Sequence, residues 1–288
     1  MDAGAWSSRS CQDLGSCAPH RPMHIPRDTN SHRNTFGQTI KIVDMAPDPD
    51  STHPYQIREN DERWTAVDKY ALKHLHTPDV PYYKELEYAA KSAESSGLPD
   101  IAVSALQGQF LAMQCRLLGV KHALEVGTLG AYSTIWLATA SPDIKITSIE
   151  INEKHAEVAR KAIENAGLTD RIDIIVGAGV DVIPKLASQI KAGERQPYDF
   201  VFIDADKPNN LNYLNASLDV ARSGAEIIVD NVVRKGKLAS AEAGKEDPKV
   251  QGCREVVEGA GKNSRLHVTL MQTVGEKNYD GFLICMVK

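Results

Sequence analysis

The chain has 288 residues, 42% hydrophobic and 25% charged, which suits roughly one or two domains with a buried core. Its net charge of −5 and the lack of a long basic block argue against a nucleic-acid partner, and no apolar run reaches the ~20 residues of a membrane helix. The five cysteines are odd in number, widely spaced and free of any C-x-x-C, which excludes a disulfide framework or a zinc site and points to a reducing, cytoplasmic setting.

Residues 1–54 are rich in Ser, Arg, His and Pro and lack apolar periodicity, so they read as a disordered N-terminal extension to a domain spanning 55–288. No apolar core of a secretory signal is present. Arg9, Arg21, Arg27 and Arg33 with several serines suit a mitochondrial transit segment, while Asp2, Asp13, Asp28 and Asp44 count against one. Three helices are predicted next, over 61–76, 82–95 and 104–118, the last with Ser104 as its N-cap. Their aromatic and Met positions read as core or subunit packing.

From His122 strands alternate with helices. Strands are predicted at 123–126, 145–149, 172–176, 198–203 and 225–229, with helices at 132–140, 153–166, 180–191, 209–222 and 250–259. Strands at 266–274 and 281–287 close the chain as an antiparallel hairpin. Repeated βα units imply an α/β fold with a doubly wound parallel sheet. The charged, Gly/Ala-rich stretch 235–249 reads as a mobile lid.

Two strand ends concentrate the chemistry. The apolar run 198–203 leads into Asp204-Ala205-Asp206-Lys207, and 225–229 leads into Asp230-Asn231. Ligands of open α/β sheets bind beyond the carboxyl ends of the strands. If the two strands are neighbours, Asp204, Asp230 and Asn231 offer hard oxygen donors suited to Mg, Mn or Ca, with Lys207 as a candidate base beside them. The alternative for Lys207 is a structural ion pair with Asp204 or Asp206, and for Asp206 an acid at a helix N-terminus.

The turn after the first strand runs Glu125-Val126-Gly127-Thr128-Leu129-Gly130-Ala131-Tyr132-Ser133. Glycines there let a ligand approach the backbone, and Glu150, at the end of the second strand, suits a ribose diol. The G-x-x-G spacing departs from the dinucleotide fingerprint, and Glu125 would repel pyrophosphate. A cationic cofactor such as S-adenosylmethionine fits the turn better than a nicotinamide dinucleotide.

These segments, with the closing Asp280-Gly281 strand, resemble the cation-dependent O-methyltransferases of the caffeoyl-CoA and catechol type over roughly residues 60–288. The resemblance implies a class I methyltransferase: a seven-stranded, mostly parallel sheet with a C-terminal antiparallel hairpin, preceded by N-terminal helices, and a homodimer. It implies a divalent cation on Asp204, Asp230 and Asn231, Lys207 as the base, and S-adenosylmethionine held by Val103, Glu125, Gly127, Thr128, Ser133, Glu150, Gly179 and Asp206. Ser133 would bind the methionine carboxylate and Gly179 would lie by the adenine. The implied substrates are small aromatic vicinal diols: catechols, caffeoyl-type acids or flavonoids. Three departures stand out. Ala131 replaces a glycine and fits only if its φ is negative. Leu106-Gln107 replaces an acidic pair. Val232-Val233-Arg234-Lys235-Gly236 replaces an apolar residue and Trp by the acceptor. Rival readings are a nicotinamide-dependent oxidoreductase and a non-catalytic cofactor-binding protein on the same fold.

Overall fold

The computed structural model describes residues 61–288, so the expected N-terminal extension lies outside the described residues. The helices are α1 Glu62–Leu75, α2 Tyr83–Ser95, α3 Ala105–Leu117, α4 Tyr132–Ala138, α5 Glu153–Asn165, α6 Gly179–Lys191, α7 Asn210–Ser217, α8 Ala241–Glu246 and α9 Pro248–Lys262. The strands are β1 His122–Val126, β2 Lys145–Glu150, β3 Ile172–Val176, β4 Tyr198–Ile203, β5 Ala221–Val229, β6 Leu266–Val274 and β7 Tyr279–Val287.

They form one seven-stranded sheet in the order β3-β2-β1-β4-β5-β7-β6. β1 to β5 run parallel, and β7 runs antiparallel to both β5 and β6. The expected class I architecture with its closing hairpin is therefore present. The chain winds outward from β1 to β3, then returns to β4 beside β1. That reversal opens a crevice at the carboxyl ends of β1 and β4, where open α/β sheets take their ligands.

The central strands are mostly apolar because both faces are covered. Along β4, Phe200 and Phe202 pack with Leu111 of α3 and Trp136 of α4 on one face. Val201 and Ile203 pack with Ile183 of α6, Leu214 of α7 and Val256 of α9 on the other. Ser104 caps α3 as expected, and Gln107 closes a reciprocal capping box with it. The departure at Gln107 thus has a local structural use.

Two expected elements are corrected. The helix drawn over 209–222 is a 3-10 turn at Lys207–Asn209 followed by α7, and the chain is already extended at Ala221. Arg222 is held out of a helix by its ion pair with Asp199 on β4, at 2.6 Å, and Ala221 pairs with Tyr198. The stretch read as a mobile lid contains a 3-10 turn at Lys237–Ala239 and α8, capped by Ser240. Arg254 of α9 ties it down through the Leu238 carbonyl at 2.7 Å. Of residues 235–249, Lys249 alone lines the cavity described next.

Candidate active site

The register of the sheet levels the site. Ile149, Val126, Ile203 and Val229 lie in one row across β2, β1, β4 and β5. The residues one step further along are Glu150, Gly127, Asp204 and Asp230. Ladder-like bonds carry the row onward: Gly127 N donates to Ile149 O, Asp204 N to Val126 O, and Asp230 N to Ile203 O, each at 2.9 Å. A cavity of about 810 Å³ opens above this row. Gly127 has φ +104°, and a β-carbon there would lie 2.2 Å from the Asp204 carbonyl oxygen. Only glycine lets the two strand ends approach so closely.

Lys207 is buried, and its ammonium donates to Asp204 Oδ1 at 2.8 Å. Burial alone would lower its pKa, but the carboxylates of Asp204 and Asp230 outweigh burial and raise it. Asp230 is also buried. Burial, then Asp204, push its carboxyl well above the usual range against the opposing charge of Lys207. Asn231 follows in the left-handed conformation at φ +56°, and its amide nitrogen donates to Asp230 Oδ1 at 2.6 Å. Asp204, Lys207, Asp230 and Asn231 therefore meet on one wall, as the strand ends led us to expect. The ion pair between Lys207 and Asp204 is present as well.

The cavity receives the remaining candidates unevenly. Val103, Gly127, Glu150, Gly179 and Asp206 line the cavity, whereas Glu125, Thr128 and Ser133 stand behind it. Glu150 is fixed by backbone amides: Thr128 N and Leu129 N donate to Oε2 at 3.2 and 2.8 Å, and Asn152 N to Oε1 at 2.9 Å. A β-carbon on Gly179 would meet the Tyr213 ring at 2.8 Å. The Tyr213 hydroxyl in turn donates to Asp206, and Asn209 Nδ2 donates to the other Asp206 oxygen at 2.6 Å. Asp206 is the N-cap residue of the 3-10 turn, an acid at a helix N-terminus as expected, but it makes no side-chain cap bond and its carboxylate is taken up by Tyr213 and Asn209.

Glu125 is fully buried and accepts from Ser133 Oγ at 2.6 Å, Thr134 Oγ1 at 2.5 Å and Ser148 Oγ at 2.6 Å. Burial pushes its pKa up to about 7, against those three hydroxyls. The Ser133 hydrogen is thus committed to Glu125. Ala131 has φ +65°, so the methyl group occupies the strained left-handed region rather than the negative φ it prefers.

Tyr213 has no sequence signal as a site residue, and Asp280 is legible there only as part of the closing strand, without a role. Tyr213 reaches the site from α7 only through tertiary packing. Asp280 of β7 is buried, and its Oδ1 accepts from Val233 N, Arg234 N and Gly281 N at 3.0 Å each. It braces the segment after Asn231. The Asp-Gly pair at a strand start was its sequence signal.

Comparison with known proteins places this geometry. The O-methyltransferase family profile matches residues 75–286. The chain is similar to the O-methyltransferase imqG of Aspergillus flavus, 46% identical over 79% of this chain and 92% of that protein. It is similar to a catechol O-methyltransferase of Mycobacterium tuberculosis, 41% identical over 70% and 88% of the two chains. A crystal structure of an O-methyltransferase from Bacillus cereus in complex with SAH superposes with a TM-score of 0.72 at 41% identity, covering 79% of this chain and 99% of that one. With its profile match, its identities and its sheet in agreement, the chain belongs to the O-methyltransferase family.

Proposed function

We propose that the protein transfers a methyl group from S-adenosylmethionine to one hydroxyl of a vicinal-dihydroxy aromatic of catechol, caffeoyl or flavonoid type, assisted by a divalent cation (Mg, Mn or Ca). The observation that supports this reading is the convergence of Asp204, Lys207, Asp230 and Asn231 on the cavity that Glu150 and Gly179 also line. The catechol named in the mycobacterial relative and the SAH bound to the Bacillus cereus protein support it.

The residues fit a cation. Two carboxylates and an amide oxygen are hard donors. Burial and the neighbouring Asp204 disfavour the charged form of Asp230 against the opposing pull of Lys207, a disfavour that a bound cation would relieve. Among the described residues no group of three or more His, Cys, Asp or Glu is placed to hold a metal; the proposed donor set joins the Asn231 amide to two carboxylates. Asp204, Asp230 and Asn231 would hold the ion. When bound, it supplies Lewis acidity that lowers the pKa of a phenol from about 10.

The chain's own residues do the rest. Lys207 takes the hydroxyl proton at Nζ as the free amine, having released its own ammonium proton to solvent once the pull of the two carboxylates is relieved. Glu150 keeps unused lone pairs for a ribose diol after accepting its amides. Gly179 leaves room by Tyr213 for the adenine, and Val103, Gly127 and Asp206 complete the cofactor wall. Glu125, Thr128 and Ser133 act from behind: a Ser133 oxygen that gives its hydrogen to Glu125 can accept from an ammonium but not donate to a carboxylate. Positioning the methyl donor and the oxygen in line supplies much of the rate. Exposed apolar side chains on α3 (Met113, Leu117) and the hairpin (Met271, Val274, Met286) support a homodimer. Unpaired, buried Cys115, Cys253 and Cys285 fit a cytoplasmic setting.

The test is product analysis by mass spectrometry with catechol, resorcinol and phenol as acceptors. A monomethyl ether from catechol alone is expected. Equal methylation of phenol and resorcinol would contradict the chelated-diol reading.

A further inference from the structure

Arg234 lines the cavity three residues beyond Asn231. Its Nε is enclosed without a hydrogen-bond partner, and its guanidinium charge acts on the Asp280 carboxylate, whose Oδ1 is taken up by three backbone amides. An enclosed donor with no acceptor is unfavourable, and native proteins keep few of them. Lys277, also on the wall, is engaged: its ammonium donates to the Ala102 carbonyl and pairs with Asp100 at 3.4 Å.

The backbone here is strained too. Arg234 and Lys235 have φ +53° and +59°, two successive non-glycine residues in the left-handed region. Such conformations persist where surroundings impose them, and they gather at ligand sites. Asp280 imposes this one, through its bonds to the Val233 and Arg234 amides. The charges of Lys207 and Arg234 both act on the Cys253 thiol, so the guanidinium lies in the neighbourhood of the reacting wall. Phe110 and Phe282, stacked with ring centroids 5.6 Å apart, give the same cavity an apolar surface for an aromatic ring.

We propose that Arg234 receives a carboxylate carried by the diol substrate, so that the protein selects ionised dihydroxyphenyl acids over their neutral esters and thioesters. This rests on the diol-methylation reading above. The planar guanidinium fork matches a carboxylate in two parallel hydrogen bonds, which a carbonyl ester cannot reproduce. A CoA thioester has no carboxylate at that place and is disfavoured for the same reason.

The test compares caffeate with methyl caffeate on the full-length protein, with S-adenosylmethionine and Mg. Wild type should favour the acid in kcat/KM by about 10- to 100-fold, expressed in KM, the range expected for hydrogen bonds to a charged group. Arg234→Met should bring the ratio near unity, and Arg234→Lys should restore part of it. A wild type indifferent to the charge, or a ratio that Arg234→Met leaves unmoved, overturns the proposal. If neither compound is methylated, the diol-methylation reading fails on its own. Calorimetric binding of caffeate in the presence of S-adenosylhomocysteine then decides on Arg234. Binding lost in Arg234→Met sustains the carboxylate site, and an unchanged Kd or no binding to wild type overturns it.

Discussion

Gly252 of α9 lies against the backbone of Lys207 so closely that a β-carbon on it would stand 2.2 Å from the Lys207 carbonyl oxygen. The helix thus presses the turn that carries the candidate base against the strand ends. Gly252→Ala should force the two apart, costing about 1–3 kcal/mol of stability and lowering kcat by about tenfold or more, since a displacement near 1 Å is enough for that. Gly261, on the same helix with nothing within 4 Å, is the control. Gly261→Ala should stabilise by about 0.5–1 kcal/mol and leave turnover alone. Urea unfolding and steady-state kinetics of the two variants give the comparison, and equal behaviour would sink the packing argument.

Lys207→Met removes the ammonium between Asp204 and Asp230. If Lys207 takes the proton, kcat should fall by about 10²- to 10⁴-fold, with the Kd for S-adenosylhomocysteine within about threefold, because the cofactor wall does not depend on it. Full turnover in Lys207→Met would reduce Lys207 to a structural ion-pair partner.

Glu125 links stability to pH. Its folded pKa of about 7 lies above the ordinary 4.5, so the folded state binds the proton more tightly than the unfolded chain does. Its contribution to stability is therefore fully present below about pH 4.5 and is lost as pH rises through about 7. The loss amounts to about 3 kcal/mol. Glu125→Gln carries no titrating proton and should flatten that part of the profile. Denaturant midpoints at pH 5, 6.5 and 8 check this; parallel profiles for the two proteins would contradict it.

Asp280 accepts three backbone amides around the segment that follows Asn231. Asp280→Ala strands those donors and should destabilise by about 2–4 kcal/mol. It should also weaken Mg binding, since the Asn231 conformation depends on that segment. Asp280→Asn keeps an acceptor oxygen and should be milder on both counts. Calorimetric Mg titration beside thermal unfolding separates the effects, and a tight Mg site in Asp280→Ala would contradict the bracing role.

What could be read in advance followed from local chemistry. The unbroken apolar runs of β4 and β5 announce strands covered on both faces, and their carboxyl ends mark where Asp204 and Asp230 emerge. Ser104 and Gln107 spell out their own cap. What could not be read depends on distant partners or on backbone conformation. Ala221 to Gly224 shows no strand pattern, because Arg222 and Ser223 are exposed and the extended backbone there comes from pairing with Tyr198 and the bond to Asp199. Tyr213 and Asp280 enter the site by packing across the chain. The left-handed angles of Ala131 and Arg234 leave no trace in residue type, whereas Asn231 is of a type that tolerates that region. The helix over 241–246 is legible as an Ala/Glu/Lys-rich run, although the same charge also suits a mobile loop.

The most direct test is transfer of labelled methyl from S-adenosylmethionine to a catechol after the protein is stripped with EDTA, with and without restored Mg. The expected result is turnover abolished by EDTA and recovered with Mg in wild type, and not recovered when Asp204 or Asp230 is replaced by Ala. Undiminished turnover in EDTA, with the same rate in those variants, would contradict a cation-assisted reaction at this wall.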